Sequence, residues 1–113
     1  MHVMIDLCVV PIGVGVSVSS YVAECEIIIS QNNLESQLHP YGTVIEGEWD
    51  NVFDVVKLCH ERMHEMGAPR VFTSLKVGTR TDREQSMQDK IDSVEKKLKT
   101  KGKLKGLTHN GDK

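Results

Sequence analysis

The alternation of apolar and polar positions over residues 2–10 predicts a β-strand with one buried face. A loop that contains Pro11 and Gly13 follows, and Ser17 or Ser19 is expected to cap a helix. The buried stripe of that helix is indicated by apolar residues at helical spacing, which are Val18, Val22, Cys25 and Ile29. The helix is expected to end in the polar run at residues 30–33.

Two short extended runs come next, and they flank the turn residues Pro40 and Gly42. They predict a β-hairpin over residues 34–49. Asp50 is expected to cap the second helix, which Gly67 ends. The predicted buried stripe of this helix is Val52, Val55, Val56, Cys59, Met63 and Met66.

Residues 70–77 alternate as a fourth strand, and residues 86–98 have the spacing of a final helix. The order β-α-β-β-α-β plus a terminal helix is typical of the α+β ferredoxin-like fold, an antiparallel sheet with two helices on one face. The second face of the sheet mixes apolar and polar side chains, and association with another subunit is the expected way to cover it. The residues predicted on that face are Asp6, Cys8, Val10, Gln37, His39, Val44, Glu46, Glu48, Phe72, Ser74 and Lys76.

Composition narrows the class of protein without changing this outline. The chain of 113 residues is the size of one domain, with 39% hydrophobic and 27% charged residues, as in soluble globular proteins. A net charge of −2 predicts no general attraction to nucleic acid or membranes. Cys8, Cys25 and Cys59 each stand among apolar residues, which predicts buried free thiols and a reducing, cytoplasmic location.

The C-terminal residues 99–113 differ from the rest of the chain. They are rich in Lys and Gly and have no apolar periodicity, so they are expected to form a basic, flexible tail after a single domain at residues 1–98. An arm that binds anions is the alternative for this segment.

The second helix contains the pattern H-E-x-x-H at residues 60–64, which places two imidazoles one helical turn apart, as in zinc peptidases. A catalytic zinc site needs a third protein ligand and an open coordination position, and His2, His39 and His109 have no matching spacing. Ordinary histidines on the flank of a helix are therefore the favoured interpretation. The loop at residues 13–15 likewise lacks the third glycine of a dinucleotide loop, and no cofactor is expected.

The hairpin stretch HPYGTVIEGEWD, residues 39–50, is chemically rich and unusual. This stretch, together with VVPIGVGVSVSSYVAEC and DKIDSVEKKL, resembles the small thiamine-binding proteins of the YkoF-like superfamily over residues 3–98. The resemblance implies ferredoxin-like subunits that pair through their sheets as dimers, commonly joined as tetramers. It also implies binding of thiamine or its hydroxymethylpyrimidine portion, with no catalytic activity.

The resemblance points to a region more than to individual ligand contacts. Carboxylates on the predicted second face suit the amino group of an aminopyrimidine or the thiazolium cation. We expect Glu46 and His39 to bind the ligand, with Asp6, Thr43 and Ser74 in support. Two alternatives stay open at this point: a structural or regulatory oligomer without a small-molecule ligand, and, much less favoured, a zinc hydrolase.

Overall fold

A computed structural model describes residues 1–15, 18–82 and 86–101 of the chain. Four strands and three helices appear in the predicted order. They are β1 (His2–Ile12), α1 (Ser19–Gln31), β2 (Glu35–His39), β3 (Gly42–Glu48), α2 (Trp49–Glu65), β4 (Arg70–Thr79) and α3 (Met87–Thr100).

The strands form one antiparallel sheet in the order β2-β3-β1-β4, which confirms the predicted ferredoxin-like α+β fold. In the register, Ile5 of β1 lies between Ile45 of β3 and Val77 of β4. Asp6 lies between Val44 and Lys76, one position further along. Because side chains alternate along a strand, this register separates a helix face from a second face of the sheet.

The helix face holds the core of the molecule. The side chains of β1 and β3 that point to this face pack against the buried stripes of α1 and α2. The core residues are Val3, Ile5, Leu7, Cys25, Ile29, Ile45, Val52, Val55, Cys59, Met63 and Ala68. Burial of this apolar surface is the main force that holds the two helices on the sheet.

The second face of the sheet carries the residues predicted for it, among them Asp6, Cys8, Glu46, Phe72 and Lys76. They occupy the register positions between the buried ones, as the alternation of the sequence required.

β1 is longer than predicted. It continues through Pro11 to Ile12, because β4 pairs with it to that point while β3 pairs with it only as far as Leu7. A proline has no backbone N–H, and it is tolerated where one side of a strand has no neighbour. The loop predicted at Pro11 therefore begins only after Ile12.

The predicted helix starts need two corrections. Val18 is the N-cap of α1, so Ser19 is its first helical residue rather than its cap, and Ser17 lies outside the described residues. Glu48 is the N-cap of α2, and Asp50 lies within the first turn. The sequence predicted a polar N-cap for each of these helices. In the structure, the side chains of the N-cap residues, Val18 and Glu48, make no capping hydrogen bond.

The contacts of the chain divide it into two units, Met1–Arg80 and Thr81–Lys113. In the second unit, Ser86 begins α3 with a reciprocal capping box, in which the Ser86 and Asp89 side chains each accept a backbone N–H. The predicted tail lies outside the described residues from residue 102 onward, and the domain boundary at residue 98 stays a prediction. Within the described ranges, no helix has the length and apolar character needed to cross a membrane.

Candidate functional site

A cavity of about 300 Å³ opens where β1 runs past the end of β3. The β1–β3 ladder ends at the pair of Leu7 and Thr43, so the part of β1 after Leu7 has a strand neighbour on one side only. The gap on the other side is lined by α1 and by the turn between β2 and β3. Most of the lining is apolar and includes Val9, Val22 and Ile29.

The turn can lie this close to β1 because residue 42 is glycine. A Cβ atom on Gly42 would stand 2.5 Å from the backbone oxygen of Leu7. Real side chains do not approach a backbone oxygen so closely, so any larger residue would push the turn away from β1. The shape of this end of the cavity thus depends on the glycine in the sequence HPYG.

Two polar side chains meet in the cavity wall. The hydroxyl of Thr43 donates a hydrogen bond of 2.6 Å to Oε2 of Glu26, which lies on α1. Thr43 is 5% exposed, whereas Glu26 is half-buried. The bond occupies one of the two carboxylate oxygens of Glu26. Among the described lining residues, Glu26 is the only acidic one, and none is Lys or Arg.

His39 reaches the cavity from the hairpin turn. Its Nδ1 accepts a hydrogen bond of 3.2 Å from the backbone N–H of Tyr41, so the proton of the neutral ring is on Nε2. That nitrogen lies 2.7 Å from Oδ1 of Asp6, to which it donates. The ring is therefore held in one orientation at the edge of the cavity. Tyr41, which also lines the cavity, is 85% exposed.

Of the five residues predicted from the sequence to bind the ligand, Thr43 pairs with Leu7 on the helix face, whereas Asp6 occupies a position of the second face. His39 and Thr43 line the cavity, and Asp6 is hydrogen-bonded to the His39 ring without lining the cavity itself. Glu46 lies on the second face, where it is 6% exposed and its Oε2 is 3.5 Å from Nε2 of His2. Ser74 is exposed on the same face. Their roles as ligand contacts stay predictions.

Glu26 was missed by the sequence reasoning, although a signal existed. It follows Cys25 and lies four residues after Val22 and three before Ile29, so it shares a face with the apolar stripe of α1. A carboxylate on such a face is half-buried and needs a polar partner. Thr43 is that partner, and the two side chains meet only because α1 packs on the helix face of the sheet.

The H-E-x-x-H histidines have other hydrogen-bond partners. Nε2 of His60 bonds to the hydroxyl of Thr73 on β4, and Nδ1 of His64 lies 2.8 Å from the backbone oxygen of Ala68, beyond the end of α2. Partial burial, and secondarily the charge of His64, lower the pKa of His60. In the described part of the chain, no three residues of the types His, Cys, Asp or Glu are grouped to hold a metal ion.

Comparison with known proteins relates the chain to one family. A family profile described as "Thiamine-binding protein" matches residues 5–95. A UPF0045 protein of Synechocystis sp. is 56% identical over 95 residues, covering 84% of this chain and 78% of the relative. A UPF0045 protein of Eremothecium gossypii is 46% identical over 99 residues, covering 87% of this chain and 94% of the relative.

Solved structures agree with the fold. A hypothetical protein from Methanocaldococcus jannaschii has a TM-score of 0.72 and 29% identity, over 90% of this chain and 97% of that one. A Thermotoga maritima protein described as a candidate for thiamine biosynthesis or salvage also has a TM-score of 0.72, over 83% of this chain and 99% of that one. At 19% identity, the second likeness bears on the fold alone.

Proposed function

The chain belongs to the family of thiamine-binding proteins, and from that premise we propose that it binds thiamine, or its hydroxymethylpyrimidine portion, in the cavity beside α1. The observation that carries this proposal is a carboxylate, Glu26, set in an otherwise mainly apolar cavity together with the hydroxyl of Thr43. Small-molecule sites combine such apolar walls with a few polar groups that fix the ligand's orientation.

The size of the cavity supports a ligand of this class. Its volume of about 300 Å³ is at the lower end of the range for small-molecule sites. A flat aminopyrimidine ring is matched by the apolar side chains of β1 and α1 on either side. The exposed ring of Tyr41 at the turn offers an aromatic surface for the rest of the ligand.

The polar groups support the same ligand chemistry. The amino group of the pyrimidine is a donor, and the second oxygen of the Glu26 carboxylate is an acceptor for it. The thiazolium ring carries a positive charge, which the negative charge of Glu26 attracts. Since the described lining contains no Lys or Arg, no fixed positive charge on the cavity wall opposes this cation. His39 adds a ring that Asp6 orients.

We propose binding without catalysis. Three polar side chains in the cavity wall already have partners, Glu26 and Thr43 in each other and His39 in Asp6 outside the lining, in arrangements that orient a ligand. We also propose a cytoplasmic homo-oligomer, dimer or tetramer, since the second face of the sheet exposes Val10, Ile12 and Phe72. Glu46 and Ser74, which the sequence predicts as ligand contacts, lie on that face and stay candidates for contacts with a ligand.

Isothermal titration calorimetry with the purified full chain tests the proposal. Thiamine and hydroxymethylpyrimidine are expected to bind and to raise the melting temperature as their concentration rises. The thiazole portion alone, which lacks the amino group, is the matched control and is expected to bind much more weakly. Absence of both heat and thermal stabilisation with thiamine and with hydroxymethylpyrimidine at millimolar concentration would reject the ligand assignment.

A further inference from the structure

The backbone of β1 passes along the cavity with one edge that has no neighbouring strand. Val9 and Pro11 lie in this part of β1, where β4 pairs on one side only, and both line the cavity. In an antiparallel sheet, the N–H and C=O of one residue point to one neighbouring strand, and those of the next residue point to the other. The direction of these groups therefore decides what the backbone of β1 offers to a ligand.

Three observations show that the odd-numbered residues of β1 direct their N–H and C=O groups away from β4. The N–H of Trp49, which directly follows β3, donates to the C=O of Met1 over 2.9 Å, just before β1 begins. The C=O of Leu7 lies beside Gly42, on the side of β3. Pro11, which has no N–H to donate, keeps its place in the register with β4.

The same alternation applies to Val9. The pairs between β1 and β4 follow one another without a bulge over residues 3–12, so the odd-numbered residues keep their direction along the strand. Beyond Leu7, the cavity occupies the position that β3 would take. The N–H and C=O of Val9 therefore point into the cavity. In the described part of the chain, no backbone group of α1 or of the hairpin turn bonds to them.

A donor and an acceptor in such a position favour a ligand. Val9 is half-buried, and it packs against the core. A half-buried backbone group without a protein partner must bond to water or to a bound molecule. The N–H and C=O of one extended residue lie side by side, so they match a flat ring in which an acceptor nitrogen is next to an amino group. Aminopyrimidines have this N=C–NH2 group.

We propose that Val9 recognises the aminopyrimidine through its backbone, and this inference rests on the function proposed above. The N–H of Val9 donates to the ring nitrogen beside the amino group, and the amino group donates one hydrogen to the C=O of Val9. The second hydrogen of the amino group is left for Glu26, which lines the same cavity. The class of ligand that this pair of bonds selects is an aromatic ring with an N=C–NH2 group, and the thiazolium ring has no part in it.

Amide hydrogen exchange of the wild-type chain, followed by NMR, tests the unpaired edge without any ligand. The Val9 amide is expected to exchange at least about tenfold faster, after correction for intrinsic rates, than the amides of Cys8 and Val10, which face β4. Equal protection of the three amides would overturn the proposal, because Val9 would then have a partner within the protein.

The same measurement with 4-aminopyrimidine, which is the bare ring with the N=C–NH2 group, tests the recognition. With this probe at about ten times its Kd, the Val9 amide should exchange roughly tenfold more slowly, since it is exposed only in the empty fraction of the protein. Exchange of the Val10 amide should stay the same. Pyrimidine, which lacks the amino group, is the matched control and should bind at least about tenfold more weakly.

Two substitutions isolate the contribution of the N–H group. Val9→Pro removes it, whereas Val9→Ala keeps it and shortens the side chain. Pro11 shows that a proline is compatible with this side of β1. In calorimetry, Val9→Pro is expected to bind thiamine roughly tenfold more weakly than Val9→Ala. Melting curves establish that both variants are folded, and equal affinities of two folded variants would contradict a hydrogen bond from the Val9 N–H.

The outcomes separate this inference from the proposed function. If thiamine binds by calorimetry and the exchange of the Val9 amide does not change, the function stands and the backbone contact is wrong. If thiamine does not bind but 4-aminopyrimidine protects the Val9 amide, the ligand assignment is wrong and the backbone recognition stands. If neither compound binds, both proposals fail. Protection of the Val9 amide by both compounds supports both proposals.

Discussion

The negative charge of Glu26 is the side-chain property on which the proposed site most depends. A charged hydrogen bond in a half-buried site is worth about 1.5–3 kcal/mol. We expect Glu26→Gln to weaken thiamine binding by roughly 10- to 100-fold in calorimetry, since an amide keeps the shape of the side chain but loses the charge. The hydroxyl of Thr43 can still donate to the amide oxygen, so the melting temperature of the free protein should change little.

Glu24→Gln is the matched control for this substitution. Glu24 is on the same helix and loses the same charge, but it lies outside the cavity lining and pairs with Arg62 at 3.1 Å. Its effect on thiamine affinity should be less than about threefold, since the long-range attraction of one charge outside the cavity is weak in salt. Equal losses in the two variants would contradict a direct contact with Glu26.

The lowered pKa of His60 predicts that the stability of the folded chain depends on pH. Its folded-state pKa is lowered, mainly by burial, from the usual value of about 6.5. Above that value the ring is neutral in both folded and unfolded chains, and it contributes no pH dependence. As pH falls below about 6.5, the unfolded chain takes up the proton first, so the folded state loses stability until the folded pKa is reached.

Two measurements check this expectation. NMR titration of the His60 ring should give a pKa below 6.5. The fall in the urea midpoint between pH 7.5 and pH 5 should be smaller in His60→Gln than in the wild type, because the substituted side chain does not titrate. A His60 resonance that titrates at or above the usual value would show that the ring is not desolvated in solution.

At the scale of elements, the close approach of the hairpin turn to β1 rests on Gly42. We expect Gly42→Ala to lower the free energy of unfolding by about 1–3 kcal/mol, because the added Cβ would collide with the backbone oxygen of Leu7. That oxygen cannot move without disturbing the β1–β3 ladder. Urea denaturation measures the loss. Thiamine affinity should fall as well, because the turn forms one end of the cavity.

Gly78→Ala is the control, because Gly78 is also a strand glycine but its added Cβ would meet nothing nearer than the Met4 backbone oxygen at 3.9 Å. Removing a glycine from an open strand position is expected to leave stability unchanged or to raise it by up to about 1 kcal/mol. If the two variants were equally stable, the turn would not be held against β1 as described.

The elements of this fold could be predicted because each depends on a local period. Alternation in β1 and the stripe of α2 each follow from the geometry of a single segment. The extension of β1 through Pro11 could not be predicted, because it depends on where the pairing with β3 stops. Helix starts were also misplaced, since the choice between Ser19 and Val18 as N-cap is made by backbone angles that sequence fixes weakly.

The candidate site was harder to predict than the fold, because it depends on contacts between elements that are far apart in the chain. The sequence singled out the hairpin stretch for its polar and aromatic side chains, and two of them, Thr43 and His39, line the cavity. The partner of Thr43 is Glu26, which is 17 residues away and on a different element. The two side chains meet only after α1 has packed on the sheet, so the spacing of residues along the chain does not predict their contact.

At the scale of the whole molecule, the exposed apolar side chains on the second face of the sheet indicate that the chain associates with copies of itself. Phe72 lies opposite Val10 in the register and is 62% exposed, while Val10 is 40% exposed. Ile12 extends this apolar cluster at 37% exposure. Apolar side chains grouped on a sheet face in this way are typical of a subunit interface. Sedimentation velocity of the wild-type chain is therefore expected to give a dimer or tetramer.

Phe72→Glu tests which surface forms the interface. A carboxylate introduced at the centre of a buried apolar contact should raise the dissociation constant of the oligomer by at least about tenfold, and sedimentation velocity should shift toward the monomer. Leu58→Glu is the matched control, since Leu58 is an apolar residue of α2 at 41% exposure on the helix side of the sheet. It should leave the sedimentation coefficient unchanged. A wild-type chain that sediments as a monomer would contradict self-association, whereas dissociation by Leu58→Glu alone would place the interface on the helices. Thiamine titrations of the Phe72→Glu monomer would then show whether the cavity beside α1 binds its ligand within one subunit, as the proposed contacts of Glu26 and Thr43 require.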